Sequence, residues 1–286
     1  MPYPIPVFYS PKQVSRPLMP APSPSKPPHV VAIWEAGNFP LQIEKPSAVS
    51  REQFAFAHSR DYVDAILDLK FDNGFGDREA GVAASLPWTS GSFLSAARSA
   101  IETGRVAVSP TSGFHHAGYD FGGGYCTFNG LMVAATALIQ DGHASKIGIL
   151  DCDQHFGNGT EDIIERLGCR SQIVHVTAGQ GYSRNADTFL NQLSECMDSF
   201  HDCDLLMYQA GADQHMHDPL GGFLSTKQLF ERDQFVFQFA ASRGIPIVWN
   251  LAGGYQKPLA KVLAIHRNTM RACVESFAEI QVERLY

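Results

Sequence analysis

Short β-branched and apolar runs at 6–9, 105–108, 146–150, 172–176, 205–209 and 245–251 alternate with helix-periodic segments at 62–69, 91–101, 130–139, 159–166, 187–200, 225–243 and 258–277. This alternation constrains the fold most. A strand returned to its neighbour through a helix runs parallel to it, and a parallel sheet needs helices on both faces. The expectation is a three-layer α/β fold, a central mostly parallel sheet between two helical layers. With 286 residues, 44% hydrophobic, and no internal Pro/Gly/Ser-rich divider, residues 1–286 read as a single domain. Ten of the first 28 residues are proline. Because proline fixes φ and lacks a donor, 11–28 is expected to run as an extended arm over the surface.

Parallel sheets bind ligands at the carboxyl ends of their strands. Four polar, glycine-rich motifs fall there: SPTSGFHHAG after 105–108, DCDQHFGNG after 146–150, QAGADQHMHDPLGG after 205–209, and LAGGYQ at the end of 245–251. They are expected to converge in one cleft.

Asp153 and His155 stand two residues apart on a chain leaving a strand, so both side chains can face one cation. Asp213 is the natural third ligand, since two carboxylates and one imidazole leave a coordination position open for water or substrate. On an extended strand His115 and His116 would face opposite ways. The flanking Gly113 and Gly122 to Gly124 allow an irregular loop that brings both to the cleft. Tyr255, after two glycines, can aim a hydroxyl at a developing oxyanion, or can simply pack.

A net charge of −7 argues against a nucleic-acid binder, which needs a basic face to replace phosphate counterions. The first ten residues lack a basic segment leading into an apolar one, and the longest apolar runs, such as 131–139, are too short to span a bilayer, so the chain reads as cytoplasmic with no membrane partner. Six cysteines without a CxxC pair read as reduced thiols. Cys152 reads as a buried filler.

Taken together, GFHHAGYDFGGGYCTFN, ILDCDQHFGNGT, AGADQHMHDPLGG and LAGGYQ resemble the zinc-dependent histone deacetylases of the arginase/deacetylase fold. The wording FHHA, DFGGGYC, DPLGG and GGYQ is closest to the class IV branch. The resemblance implies one zinc ion on Asp153, His155 and Asp213, with potassium held nearby by backbone oxygens of Asp151, Asp153 and His155 and by Thr177. It makes His115 and His116 the proton-handling pair, Asp151 and Asn158 their respective hydrogen-bond partners, and Tyr255 the oxyanion donor. A carboxylate neighbour favours imidazolium more than an amide does, so His115 is expected to be the more cationic and His116 the general base and acid. Gly124 and Tyr125 are expected to line the substrate tunnel, with Leu220 at its gate. The implied reaction is hydrolysis of N-acyl-lysine, in a peptide or protein, or of a related acylated small amine.

Phe156 stands where the family often carries histidine or glutamine, and the tunnel loop is shortened to AGQGYSR, which leaves the acyl preference open. An acetylpolyamine-type amidohydrolase is the alternative substrate class. A binuclear manganese ureohydrolase would need a DAHxD-like motif where DCDQH stands, and a non-catalytic acyl-lysine-binding protein would have lost Tyr255, a ligand or the paired histidines. His58, His143, His175, His201, His215 and His217 read as structural or solvated, and the acidic turn 72–79 as a solvated face.

Overall fold

The computed structural model describes residues 4–178 and 184–283, the side chains as far as residue 277. Seven strands, β1 (Ile5–Phe8), β2 (Leu41–Glu44), β3 (Val106–Val108), β4 (Ile147–Asp151), β5 (Ile173–Thr177), β6 (Leu205–Gln209) and β7 (Ile247–Asn250), form one sheet in the order β2-β1-β3-β7-β6-β4-β5. All its pairings are parallel. Among the described residues nine α-helices accompany them, the last following β7: α1 (Lys26–Ala36), α2 (Arg51–Phe54), α3 (Arg60–Leu67), α4 (Ala80–Thr103), α5 (Gly130–Gln140), α6 (Asn158–Leu167), α7 (Ala186–Met197), α8 (Thr226–Arg243) and α9 (Ala260–Glu283). No described helix is long and apolar enough to cross a membrane.

The five inner strands, β1, β3, β7, β6 and β4, bury side chains on both faces, as continuous apolar runs in a parallel sheet should. On one face Leu150, Leu206, Tyr208, Ile247 and Trp249 join a core with α1, α7, α8 and α9. On the other, Ile147, Ile149, Leu205, Met207 and Val248 join a core with α2 to α6. Residues i and i+2 therefore share a core, as the period of two requires.

β2, α1 and α2 were not expected. β2 is a four-residue edge strand, partly exposed and paired only with β1. The proline-rich stretch is not simply a surface arm. Residues 11–13 and 23–25 make 3₁₀ turns, and α1 begins at Lys26 with Pro27 and Pro28 in its first turn, where proline's missing N–H costs no helical bond. Gln13, Ser15, Ser23 and Lys26 are buried. The acidic turn 72–79 also differs from a solvated face: Phe75 is buried, and the buried Asp77 accepts from Asn73 Nδ2 at 2.6 Å and Leu18 N at 2.8 Å.

The two cores meet through the central strands. Leu150 in β4 has no solvent exposure, and Leu150→Ala should destabilise the protein by about 2–5 kcal/mol, measured by urea unfolding with a native-like spectrum before the transition.

Candidate metal centre and active site

The four motifs leave the carboxyl ends of β3, β4, β6 and β7, which lie side by side in the sheet. Register across β4 and β6 pairs Asp151 with Gln209, so the turns after these strands emerge together. Ligand atoms of Asp153, His155 and Asp213 lie within 4.8 Å of one another. His155 Nδ1 is 3.0 Å from Asp153 Oδ1 and 3.3 Å from Asp213 Oδ2. Both carboxylates are buried.

Glycine makes this crowding possible. A Cβ on Gly253 would lie 2.4 Å from Asp213 Oδ2 and 2.8 Å from Asp153 Oδ2. With hydrogen alone, Gly253 instead donates its N–H to Asp153 Oδ2 at 2.9 Å.

The electrostatics fit a cation. Burial raises the Asp213 pKa, and the charge on Asp153 raises it further. His155, hydrogen-bonded to Asp153 and set beside the Asp213 carboxylate, is raised to about 10. Asp213 Oδ2 is a buried oxygen with no hydrogen-bond partner. An N, O, O donor set around an unsatisfied buried carboxylate oxygen suits a divalent metal that keeps one position open. These residues fit zinc.

The paired histidines lie above this cluster on different supports. His115 Nδ1 donates to Asp151 Oδ2 at 2.7 Å, and its Nε2 is 3.6 Å from Asp153 Oδ1. Burial lowers its pKa, but the charges of Asp151 and Asp153 outweigh this and raise it to about 9. His116 Nδ1 donates to Asn158 Oδ1 at 2.6 Å. Burial, and then the charge on His115, hold its pKa below the ordinary value. The loop is irregular as anticipated. Phe114 takes φ 104°, and the N–H groups of Gly159 and Thr160 at the start of α6 both donate to the His115 carbonyl, at 2.9 and 3.0 Å. A Cβ on Gly124 would fall 2.4 Å from His116 Cδ2.

Tyr125 and Tyr255 face each other with ring centroids 5.8 Å apart. Burial raises the Tyr255 pKa, and the charges of Asp153 and Asp213 raise it further, so the phenol stays protonated. Leu220 is exposed on the loop after Asp213. Behind Tyr125 lies a cavity of about 50 Å³ lined by Gln13, Ser23, Phe75, Phe114 and Cys126 among others. The expected tunnel loop falls largely on 179–183, outside the described residues.

Several residues that brace the site were not singled out in the sequence. Arg232, fully buried, donates to Gly211 O at 2.9 Å and Cys152 O at 3.3 Å and also pairs with Asp233. It thereby ties together the two turns that carry the ligands. Gln209 Nε2 donates to Asp151 Oδ1 at 2.9 Å. Buried Lys26 donates to Ala252 O at 3.1 Å. Buried arginine, lysine and glutamine were the available signal, and burial is not visible in a chain without periodic context. His215 is buried, bonded to Thr226 Oγ1 and His217 N. His58 bonds Gly118 O and Asn129 N. Cys152 is buried in the core.

Residues 23–177 and 168–270 match the Histone deacetylase domain family. The chain belongs to this family. An uncharacterized protein of Picosynechococcus is 27% identical over 261 residues, covering 82% of this chain and 85% of that one. Histone deacetylase 2 of Arabidopsis thaliana is 30% identical over 200 residues, 61% of this chain and half of that protein. Acetylpolyamine amidohydrolase of Mycoplana ramosa is 56% identical over 54 residues, 19% of this chain and 16% of that protein. The HD domain of HDA15 superposes with a TM-score of 0.76 at 19% identity, over 96% of this chain and 90% of that one, so the histone deacetylase fold is shared.

Gly253→Ala should push a methyl group into the two carboxylates. It is expected to weaken zinc binding by about 10- to 100-fold in a chelator-competition titration, while alanine at the open Gly81 leaves affinity unchanged.

Proposed function

We propose that this histone deacetylase-family chain hydrolyses the amide of N-acyl-lysine, or of a related acylated amine, with one zinc ion on Asp153, His155 and Asp213. The observation that carries this reading is the convergence of those three ligands within 4.8 Å beneath two histidines with unlike partners. Bound there, zinc supplies a Lewis acid for the acyl carbonyl and lowers the pKa of water. His116, kept neutral by its surroundings, accepts the proton of the attacking water. His115, kept cationic by Asp151, stabilises negative charge beside it. The Tyr255 hydroxyl donates to the oxyanion as the carbonyl becomes tetrahedral, and His116 returns the proton to the departing amine. Tyr125 and Gly124 flank the acyl-bearing stem, with Leu220 at the rim. Potassium is assigned to backbone oxygens of Asp151, Asp153 and His155 with Thr177, which pairs in register with Asp151.

Acyl-lysine is preferred to an acetylpolyamine because the rim residue Leu220 is apolar, where a polycation would be better held by a carboxylate. The similarity to acetylpolyamine amidohydrolases keeps the second class in the test. Acetyl-, butyryl- and myristoyl-lysine peptides and acetylated polyamines should be compared by kcat/KM; a polyamine as best substrate would reverse the preference.

Tyr255→Phe should lower kcat by about 10²–10³, the loss of one oxyanion donor, in steady-state assays on the best substrate. The neutral form of His116 is the working one, so activity falls as pH drops through its pKa. The acid limb should lie below about 6.5. Asn158→Asp, which sets a carboxylate against Nδ1, should move that limb to higher pH in a kcat/KM profile.

A further inference from the structure

The turn that carries Tyr255 has a backbone that does not hold itself. Ala252 has φ 46° and Gly254 φ 146°, the first in a region that costs a residue with a Cβ free energy. The turn is fixed from outside. Lys26 Nζ donates to the Ala252 carbonyl at 3.1 Å, Gly253 N–H donates to Asp153, and Ala212 N–H donates to the Gly253 carbonyl at 2.9 Å. The fourth tether is on Tyr255 itself, whose N–H donates to Asp218 Oδ2 at 2.7 Å.

Asp218 is a buried carboxylate, 7% exposed, in the loop after Asp213. Its other oxygen, Oδ1, accepts the N–H of Leu220 at 3.1 Å. One carboxylate thus receives hydrogen bonds from the turn bearing the phenol and from the loop bearing the rim leucine. Charge-assisted bonds to a buried carboxylate are among the stronger ones available. We propose that Asp218 is a positioning residue for Tyr255: Oδ2 joins the phenol-bearing turn to the Asp218 loop, while Oδ1, held by the N–H of Leu220 two residues on, fixes the carboxylate's orientation. The proposal rests on the reading of Tyr255 as oxyanion donor. It extends that reading to how the donor is aimed.

The test is a double-mutant cycle on the zinc-loaded full chain, using a fluorogenic acetyl-lysine peptide, with zinc affinity and thermal midpoint measured in parallel. Asp218→Ala should lower kcat by about 10- to 100-fold, the scale of a misaimed catalytic group, with a smaller change in KM and unchanged zinc affinity. In a Tyr255→Phe background the same substitution should add almost nothing, because an absent donor cannot be misaimed. Asp218→Asn, which retains one acceptor, should recover part of kcat, and it runs the same cycle if the alanine variant does not fold. An unchanged kcat in Asp218→Ala overturns the proposal. So does a loss that multiplies fully with Tyr255→Phe, or one matched by a fall in zinc affinity. Full activity in Tyr255→Phe alone overturns the oxyanion reading instead, and the proposal with it.

Discussion

Three carboxylates, Asp151, Asp153 and Asp213, are buried within a few residues' reach of one point at the ends of β4 and β6. Like charges in a low-dielectric interior repel strongly and cannot all stay ionised without compensation. The surrounding structure answers that repulsion. His115 supplies positive charge, His155 Nδ1 lies 3.0 Å from Asp153, and Gly253, Gln154 and Gln209 supply N–H donors. Asp213 Oδ2 is left without a hydrogen bond, with His155 Nδ1 3.3 Å away. A divalent cation among these atoms would complete the balance, so the charge arrangement alone suits the site to a metal.

The same crowding separates the two histidines. They are adjacent in sequence and their rings lie 4.1 Å apart, yet one leans on a carboxylate and the other on an amide. Proximity then amplifies the difference, because a cationic His115 makes a second cation beside it unfavourable. The surroundings thus favour the cationic form of His115 and the neutral form of His116. This division of labour needs both partners, and both come from the β4-to-α6 segment, which also carries Asp153 and His155.

Much of this was readable in the chain. The six longer apolar runs became strands, because continuous β-branched runs between helical segments have few alternatives in a parallel sheet. The convergence of Asp153, His155 and Asp213 was readable because these residues lie in glycine-rich turns just past those runs. What escaped notice depends on long-range packing. β2 has no apolar run, since it buries little at the sheet edge. α1 hides behind Lys26, Pro27 and Pro28, where prolines that forbid a helix interior are tolerated at its start. Asp218, Lys26 and Arg232 look like surface residues by composition, and only the fold brings their charges inward to brace the ligand and phenol turns.

X-ray absorption at the zinc edge of the zinc-loaded protein tests the central claim most directly. The account predicts a first shell of nitrogen and oxygen at ~2.0–2.1 Å with a single imidazole and no sulfur, collapsing when His155 is replaced by alanine. A sulfur scatterer at ~2.3 Å, a multi-histidine signature, or a shell unchanged in His155→Ala would place the metal elsewhere and contradict it.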